Sequence, residues 1–284
     1  MRSRNCGSLS VWVILFCAVL WASNAAAETP LERGTYLVQG IAGCGNCHTT
    51  RGPDGRPLAG MELAGSSDFF DVPEMHINTP NITPDPETGI GGWSDEQIIT
   101  AIREGRRPDG RMLGPFMPFE MYRGISDTDV KAIVAYLRQV PPVRHEVPRS
   151  IFNIPIPESY GPPVEHVADV PRDNKIAYGA YLAGPVGHCI ECHTPMTEAG
   201  FDYANRLGAG GNQFPGPWGI STSANITPTG LKSRTDDDIK KIITTGVRPD
   251  GSPVLPPMGF AYYAHISDSD LDAIVAYLRS LPPK

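Results

Sequence analysis

Two five-residue segments carry the most reactive chemistry in this chain: Cys44-Gly-Asn-Cys47-His48 and Cys189-Ile-Glu-Cys192-His193. Each is Cys-x-x-Cys-His. Two thiols at this spacing can add to the two vinyl groups of one haem, and the His that follows is then placed to ligate the iron from one face. Three other chemistries use cysteine pairs. A thioredoxin-type redox pair needs no following His, and one copy suffices. A zinc site would leave thiolates poorly protected in an oxidising compartment. A disulfide across two intervening residues is strained and leaves His48 and His193 without a role. Repetition of the whole motif points to two covalently attached haem c groups, held by Cys44 and Cys47 and by Cys189 and Cys192, with His48 and His193 as iron ligands.

An electron-carrying haem iron needs a second axial ligand, and Met is the usual partner of His. The first half of the chain offers Met61, Met75, Met112, Met117 and Met121. Self-comparison chooses among them. Arg33-Gly34-Thr-Tyr36-Leu37 matches Tyr178-Gly179-Ala-Tyr181-Leu182 before each motif, and Gly65 matches Gly210. Asn81-Ile-Thr-Pro84 matches Asn225-Ile-Thr-Pro228, Arg107-Pro-Asp-Gly110 matches Arg248-Pro-Asp-Gly251, and Ala132 to Arg138 is identical to Ala273 to Arg279. In that register Leu113-Gly-Pro-Phe-Met117-Pro-Phe119 aligns with Val254-Leu-Pro-Pro-Met258-Gly-Phe260, whereas Met112 faces Pro253 and Met121 faces Tyr262. Met117 and Met258 are therefore the expected distal ligands, although Met is also a common filler of core gaps. His76, His145, His166, His188 and His265 have no His counterpart and are read as surface or structural residues.

The elements that must position these groups follow from local signals. Thr29-Pro30 opens a first helix that runs towards the first motif. Ser94 with Gln97 opens a middle helix that ends at Gly105, and its counterpart runs from near Thr235 to Gly246. Ser126, with Asp129 at the box position, opens a last helix that stops before Pro141. Val130, Ile133, Val134 and Leu137 share one face of it, as do Leu271, Ile274, Val275 and Leu278 in the repeat. Gly34 and Gly179 would let the first helix cross the last closely, against Tyr136 and Tyr277. Asn81 and Asn225 could cap backbone groups or meet a propionate, and Arg107 and Arg248 could pair with propionates. Strand-like alternation is absent. The expected fold is all-α: two tandem domains of three main helices at 28–143 and 175–284, joined by a Pro-rich linker at 144–174. Ile151, Phe152, Ile154 and Ile156 are expected to pin that linker to a domain surface.

Composition agrees with an exported globular chain. Arg2 and Arg4 precede an apolar run from Val11 to Trp21, and Ala25-Ala26-Ala27 follow before Glu28, so residues 1–27 read as a secretory signal peptide. That segment includes Cys6 and Cys17, and it predicts a periplasmic location. No later stretch is long and apolar enough to span a bilayer, so membrane association is expected only through a partner. The net charge is −7 and no run of Lys and Arg occurs, which gives no electrostatic footprint for nucleic acid.

The order Cys-x-x-Cys-His, then Met-Pro-Phe in a Pro-rich loop, then Ala-Ile-Val-Ala-Tyr-Leu-Arg resembles class I cytochrome c domains. The stretch with Asn-Ile-Thr-Pro-Asp and Gly-Ile-Gly-Gly-Trp-Ser is similar to the cytochrome c subunits of periplasmic alcohol, gluconate and aldehyde dehydrogenases. The resemblance covers both halves. It implies a carrier that takes electrons from a dehydrogenase towards an oxidase, a quinone-linked complex or another cytochrome. It also implies His48/Met117 and His193/Met258 as axial pairs. Those subunits commonly carry three haem motifs and often a membrane-binding tail. This chain has two motifs and ends Pro282-Pro283-Lys284, so a soluble dihaem carrier is the expectation. The alternative is a dihaem enzyme, a peroxidase or a thiosulfate-oxidising cytochrome, which requires an iron that substrate can reach.

Overall fold

The computed structural model describes residues 27–53, 55–216 and 218–284. The signal-peptide expectation therefore lies, but for Ala27, outside the described residues. Helix α1 (Pro30–Gln39) begins at a capping box in which Thr29 and Glu32 satisfy each other's backbone N–H, with Pro30 in the first turn. A single turn, α2 (Gly45–His48), carries the first Cys-x-x-Cys-His segment. A hairpin follows, β1 (Ser66–Val72) and β2 (Met75–Thr79). Helix α3 (Asp95–Glu104) is capped by Ser94 and Gln97 and stopped by Gly105 in the left-handed region. Then come α4 (Phe119–Tyr122), α5 (Asp127–Leu137) and a two-residue strand, β3 (Ile151–Phe152), which adds to β2.

The second repeat retraces this path. Helix α6 (Lys175–Tyr181) widens into a π-helical turn at Leu182–Val186 before α7 (Cys189–Cys192). Next are β4 (Met196–Thr197), β5 (Gly200–Phe201), α8 (Tyr203–Arg206), and the hairpin β6 (Gln213–Gly216) with β7 (Gly219–Thr222). The chain finishes with α9 (Pro228–Leu231), α10 (Asp236–Thr245), α11 (Phe260–Tyr263) and α12 (Asp268–Ser280). The widened turn exists in both copies. Ala42 N–H donates to Leu37 C=O at 2.9 Å, and Gly187 N–H donates to Leu182 C=O at 2.8 Å. Each bond reaches back five residues and swings the following Cys segment off the helix axis.

The all-α expectation fails in one respect. Among the described residues three small antiparallel sheets, β1-β2-β3, β4-β5 and β6-β7, accompany the helices. They fall in the Gly- and Pro-rich stretches read as irregular loop. Their strands are too short or too irregular to alternate: β1 is broken by a register shift between Ser66 and Phe70, β3 has two residues, and β6 contains Pro215. A hairpin of this kind is held by ladder bonds and by its neighbours rather than by a patterned apolar face.

In each repeat the first helix crosses the last at a glycine. A Cβ on Gly34 would lie 1.9 Å from Ala132 O, and one on Gly179 would lie 1.9 Å from Ala273 O, with the Cβ atoms of Tyr136 and Tyr277 next in range. Backbone-to-backbone contact of this closeness admits only glycine. The α5 face of Val130, Ile133, Val134 and Leu137 and the α12 face of Leu271, Ile274, Val275 and Leu278 are all buried. A matched bracket ties the last helix to the middle one. Arg138 Nε donates to Asp95 at 2.9 Å, and Arg279 Nε donates to Asp236 at 3.0 Å.

The two repeats meet across a seam with approximate two-fold symmetry. Tyr181 Oη donates to Asp129 Oδ2 at 2.7 Å, and Tyr36 Oη donates to Asp270 Oδ2 at 2.7 Å. Arg33 adds a fork to Asp129, Nε–Oδ1 at 2.7 Å and Nη2–Oδ2 at 2.9 Å. Asp129 thus differs from the box role read from sequence. Ser126 still caps its N–H, but its carboxylate turns to Arg33 and Tyr181. The linker is strapped to the first repeat. Phe152 lies over Gly114, Thr128 bonds Asp169, and Val167 and Asp127 exchange main-chain and side-chain bonds. Burial alone would raise Asp127, but Arg103 at 2.8 Å and His166 at 2.6 Å outweigh it and hold the carboxyl at about 2.

Two outcomes are expected. Gly34→Ala in the haem-loaded protein loses about 3 kcal/mol by urea unfolding, the upper end of overpacking, whereas Gly92→Ala, whose Cβ meets only Pro86 O at 3.6 Å, stays within about 0.5 kcal/mol. The folded-state pKa of Asp127 is depressed, so its stabilisation is present above 3.8 and is lost as pH falls towards 2. Asp127→Asn therefore lowers the urea midpoint at pH 5, and the difference from wild type closes by pH 2.

Candidate haem-attachment sites

The single-turn helices that carry the cysteines cannot stand alone. Loops folded beneath them hold them in place. Gly65 N–H donates to His48 C=O at 2.8 Å, and Gly210 N–H donates to His193 C=O at 2.7 Å. Both glycines have positive φ, and a Cβ there would strike the backbone of residues 79–81 or 224–225. The hydroxyl of Thr49 accepts from Leu63 N–H at 3.1 Å, and that of Thr194 accepts from Gly208 N–H at 3.1 Å. Gly65 and Gly210 match in sequence because each closes the loop under its His.

The imidazoles are aimed in the same way. His48 Nδ1 lies 2.8 Å from Pro80 O, and His193 Nδ1 lies 2.7 Å from Ala224 O. A carbonyl oxygen only accepts, so Nδ1 carries the proton and Nε2 presents its lone pair. Burial lowers both imidazole pKa values, the carbonyl bond opposing it, and keeps the rings neutral. A neutral imidazole whose far nitrogen is fixed by a backbone acceptor is a pre-oriented metal ligand. These donors fit a haem. Cys44, Cys47, Cys189 and Cys192 are free thiols, not disulfides. Burial pushes Cys44 and Cys192 up to about 12 and Cys47 and Cys189 up to about 11, so they remain protonated. Among the described residues no three His, Cys, Asp or Glu side chains converge on a metal-ion site.

Met117 and Met258 occupy equivalent places, two residues before α4 and α11. The loop leading to each is hung from the end of the middle helix by the same bond: Leu113 N–H to Gly105 O and Val254 N–H to Gly246 O, both 2.7 Å. Met117 is half-buried against the core. Met75 instead lies in β2 opposite Phe152, and Met112 forms an isolated antiparallel bridge with Arg106. Asn81 caps its own turn, with Oδ1 accepting from Thr83 N–H at 2.9 Å. Asn225 does the same for Thr227 at 2.9 Å. Arg107 stacks over Trp93, with its guanidinium carbon 4.7 Å from the ring centroid.

Sequence reasoning missed what lies between the sites. The Met258 loop touches the first attachment segment: Asn46 Nδ2 is 3.5 Å from Pro257 O, and Tyr262 covers Gly43 and Gly45. In the reverse direction Pro185 packs on Gly124, and His188, held at positive φ, meets Tyr122 edge-on at 5.9 Å. His188 is therefore a seam residue, and burial pushes its pKa down to about 4. Burial, reinforced by Glu120 of the first repeat, raises Glu191 to about 7. Repeat self-comparison aligns residues within copies and carries no signal for contacts between them.

The family model for cytochrome c matches residues 31–141. The chain is 33% identical over 279 residues to the fructose dehydrogenase cytochrome subunit of Gluconobacter japonicus, covering 92% of this chain and 54% of that protein. It is 32% identical over 289 residues to a nicotinate dehydrogenase subunit of Pseudomonas putida, covering 94% of this chain but 23% of that protein. These two relatives are thus longer, and the chain spans about half or less of each. It is 30% identical over 304 residues to a "diheme cytochrome c-type" protein of Cereibacter sphaeroides, covering 99% of both. With both attachment motifs built alike and a relative matched end to end, this chain belongs to the cytochrome c family.

Proposed function

We propose that this chain is a periplasmic dihaem c-type cytochrome that takes electrons from a dehydrogenase and passes them to an oxidase, a quinone-linked complex or another cytochrome. The observation that carries this is the pair of His residues, each following two free thiols, each with Nδ1 spent on a backbone carbonyl. Cys44 and Cys47 hold one haem and Cys189 and Cys192 the other, within domains at 28–143 and 175–284 joined by the 144–174 linker. Bound haem supplies a one-electron couple. His48 and His193, oriented by their carbonyl bonds, would hold the iron, and Met117 and Met258 would supply thioether ligands, which favour the reduced state. The relatives named as dehydrogenase cytochrome subunits support a dehydrogenase as donor. The signal-like residues 1–27 support export.

Purified mature protein is expected to contain two haems per chain, all low-spin, with the weak red charge-transfer band of Met-ligated ferric haem. Met117→Ala and Met258→Ala should each remove about half of that band and leave one high-spin site. A high-spin fraction in the wild type, or one haem per chain, would overturn the carrier reading and turn the search to a substrate for the open iron.

A further inference from the structure

We propose that the two sites are electrostatically ordered, the His48 site having the upper reduction potential and the His193 site the lower, so that within one molecule electrons pass from the second repeat to the first. This rests on the dihaem reading above. The two attachment segments differ where the duplication would make them equal. Between the first pair of cysteines stand Gly45 and Asn46, and Arg51 donates from Nη2 to Asn46 Oδ1 at 3.3 Å. Between the second pair stand Ile190 and Glu191, and the position equivalent to Arg51 is the exposed Met196. One motif is therefore rimmed by a cation and the other contains an anion.

Neighbouring charges enlarge this difference. Arg51 bonds the first motif at Asn46, whereas Glu191 lies within the second motif, on α7 between Cys189 and Cys192. Glu120 of the first repeat lies near Glu191 and adds to the negative side, and the half-buried His188 stands beside Glu191, its Nδ1 3.8 Å from the carboxylate. Further out in the first repeat, Arg111 and Arg149 gather around Arg107. In the second repeat Ser252 stands where Arg111 does and bonds Arg248 at 3.3 Å. Glu62, near Tyr136 and Tyr262, is the opposing charge on the first side. It lies near those tyrosines, whereas Arg51 bonds the motif itself.

Reduction removes one positive charge from an iron site. A nearby cation favours the reduced form and a nearby anion the oxidised form, most strongly where water is excluded. The internal step balances by itself. One electron leaves the second site, which is oxidised, and reduces the first, with no proton or atom transferred.

The test is a spectroelectrochemical titration of the haem-loaded protein at pH 8.5, with haem per chain measured first. Wild type should titrate as two one-electron waves. Glu191→Gln should raise the lower wave and Arg51→Met should lower the upper wave, each by up to tenfold in that site's equilibrium constant, about 59 mV. Arg51→Lys should restore the upper wave. Glu191→Gln acting on the upper wave, Arg51→Met acting on the lower, a single wild-type wave, or two variants without effect would each overturn the ordering while leaving the dihaem reading intact. Fewer than two haems per chain would instead remove the dihaem reading, and the ordering with it.

Discussion

A carboxylate withdrawn from water must be matched by donors on nearly every lone pair, and this fold is arranged around two of them. Asp129 and Asp270 are both about 5% exposed, each in the first turn of the last helix of its repeat. The helix N-terminus helps them, and each also accepts from a tyrosine of the other repeat. Asp129 has Arg33 of its own repeat beside that tyrosine, whereas Asp270 takes its donor from another helix across the seam, from Tyr36. Desolvation of an unmatched carboxylate would cost several kcal/mol, so the seam helps to hold each last helix where it is. Those helices are the ones the first helices cross at Gly34 and Gly179, and the first helices lead directly into the cysteine segments. The placement of both attachment sites is therefore traceable to two buried charges.

Much of this was legible in the residues because the signals are local. Thr29, Ser94, Ser126 and Thr235 act as caps with the partners their spacing implies, and Gly105 and Gly246 stop helices in the left-handed region. The apolar faces of the last helices are buried as their periodicity requires. The glycine crossings were legible for a different reason: a residue without a side chain, repeated in an otherwise helical stretch, needs a contact to explain it.

What was not legible is non-local. The hairpins have no alternation to read, since β1 is interrupted by a bulge and its exposed and half-buried positions do not follow a period of two. The seam was invisible because its partners are 52 and 234 residues apart. Asp129 shows the cost of reading locally. Its place three residues after Ser126 suggested a capping box, whereas Arg33, 96 residues away, supplies a stronger partner than the helix end. The sequence left His188 as a surface or structural residue, because its neighbour in space, Tyr122, belongs to the other copy.

The approximate two-fold axis passes beside Arg33 and Tyr178, which hold equivalent positions and touch, with Arg33 Nη2 3.3 Å from Tyr178 Oη. A residue on a two-fold axis meets its own copy. In a dimer of identical subunits an arginine here would face an arginine, two like charges in a dry interface, and a tyrosine would leave its aspartate without a cation. Covalent fusion removes that restriction, because each half can be altered without altering the other. The Pro-rich strap between the repeats thus does more than set reach. It turns a self-complementary interface, in which every change is made twice, into one where a cation can stand on one side only, and the same freedom lets one attachment segment be rimmed by a cation while the other contains a carboxylate.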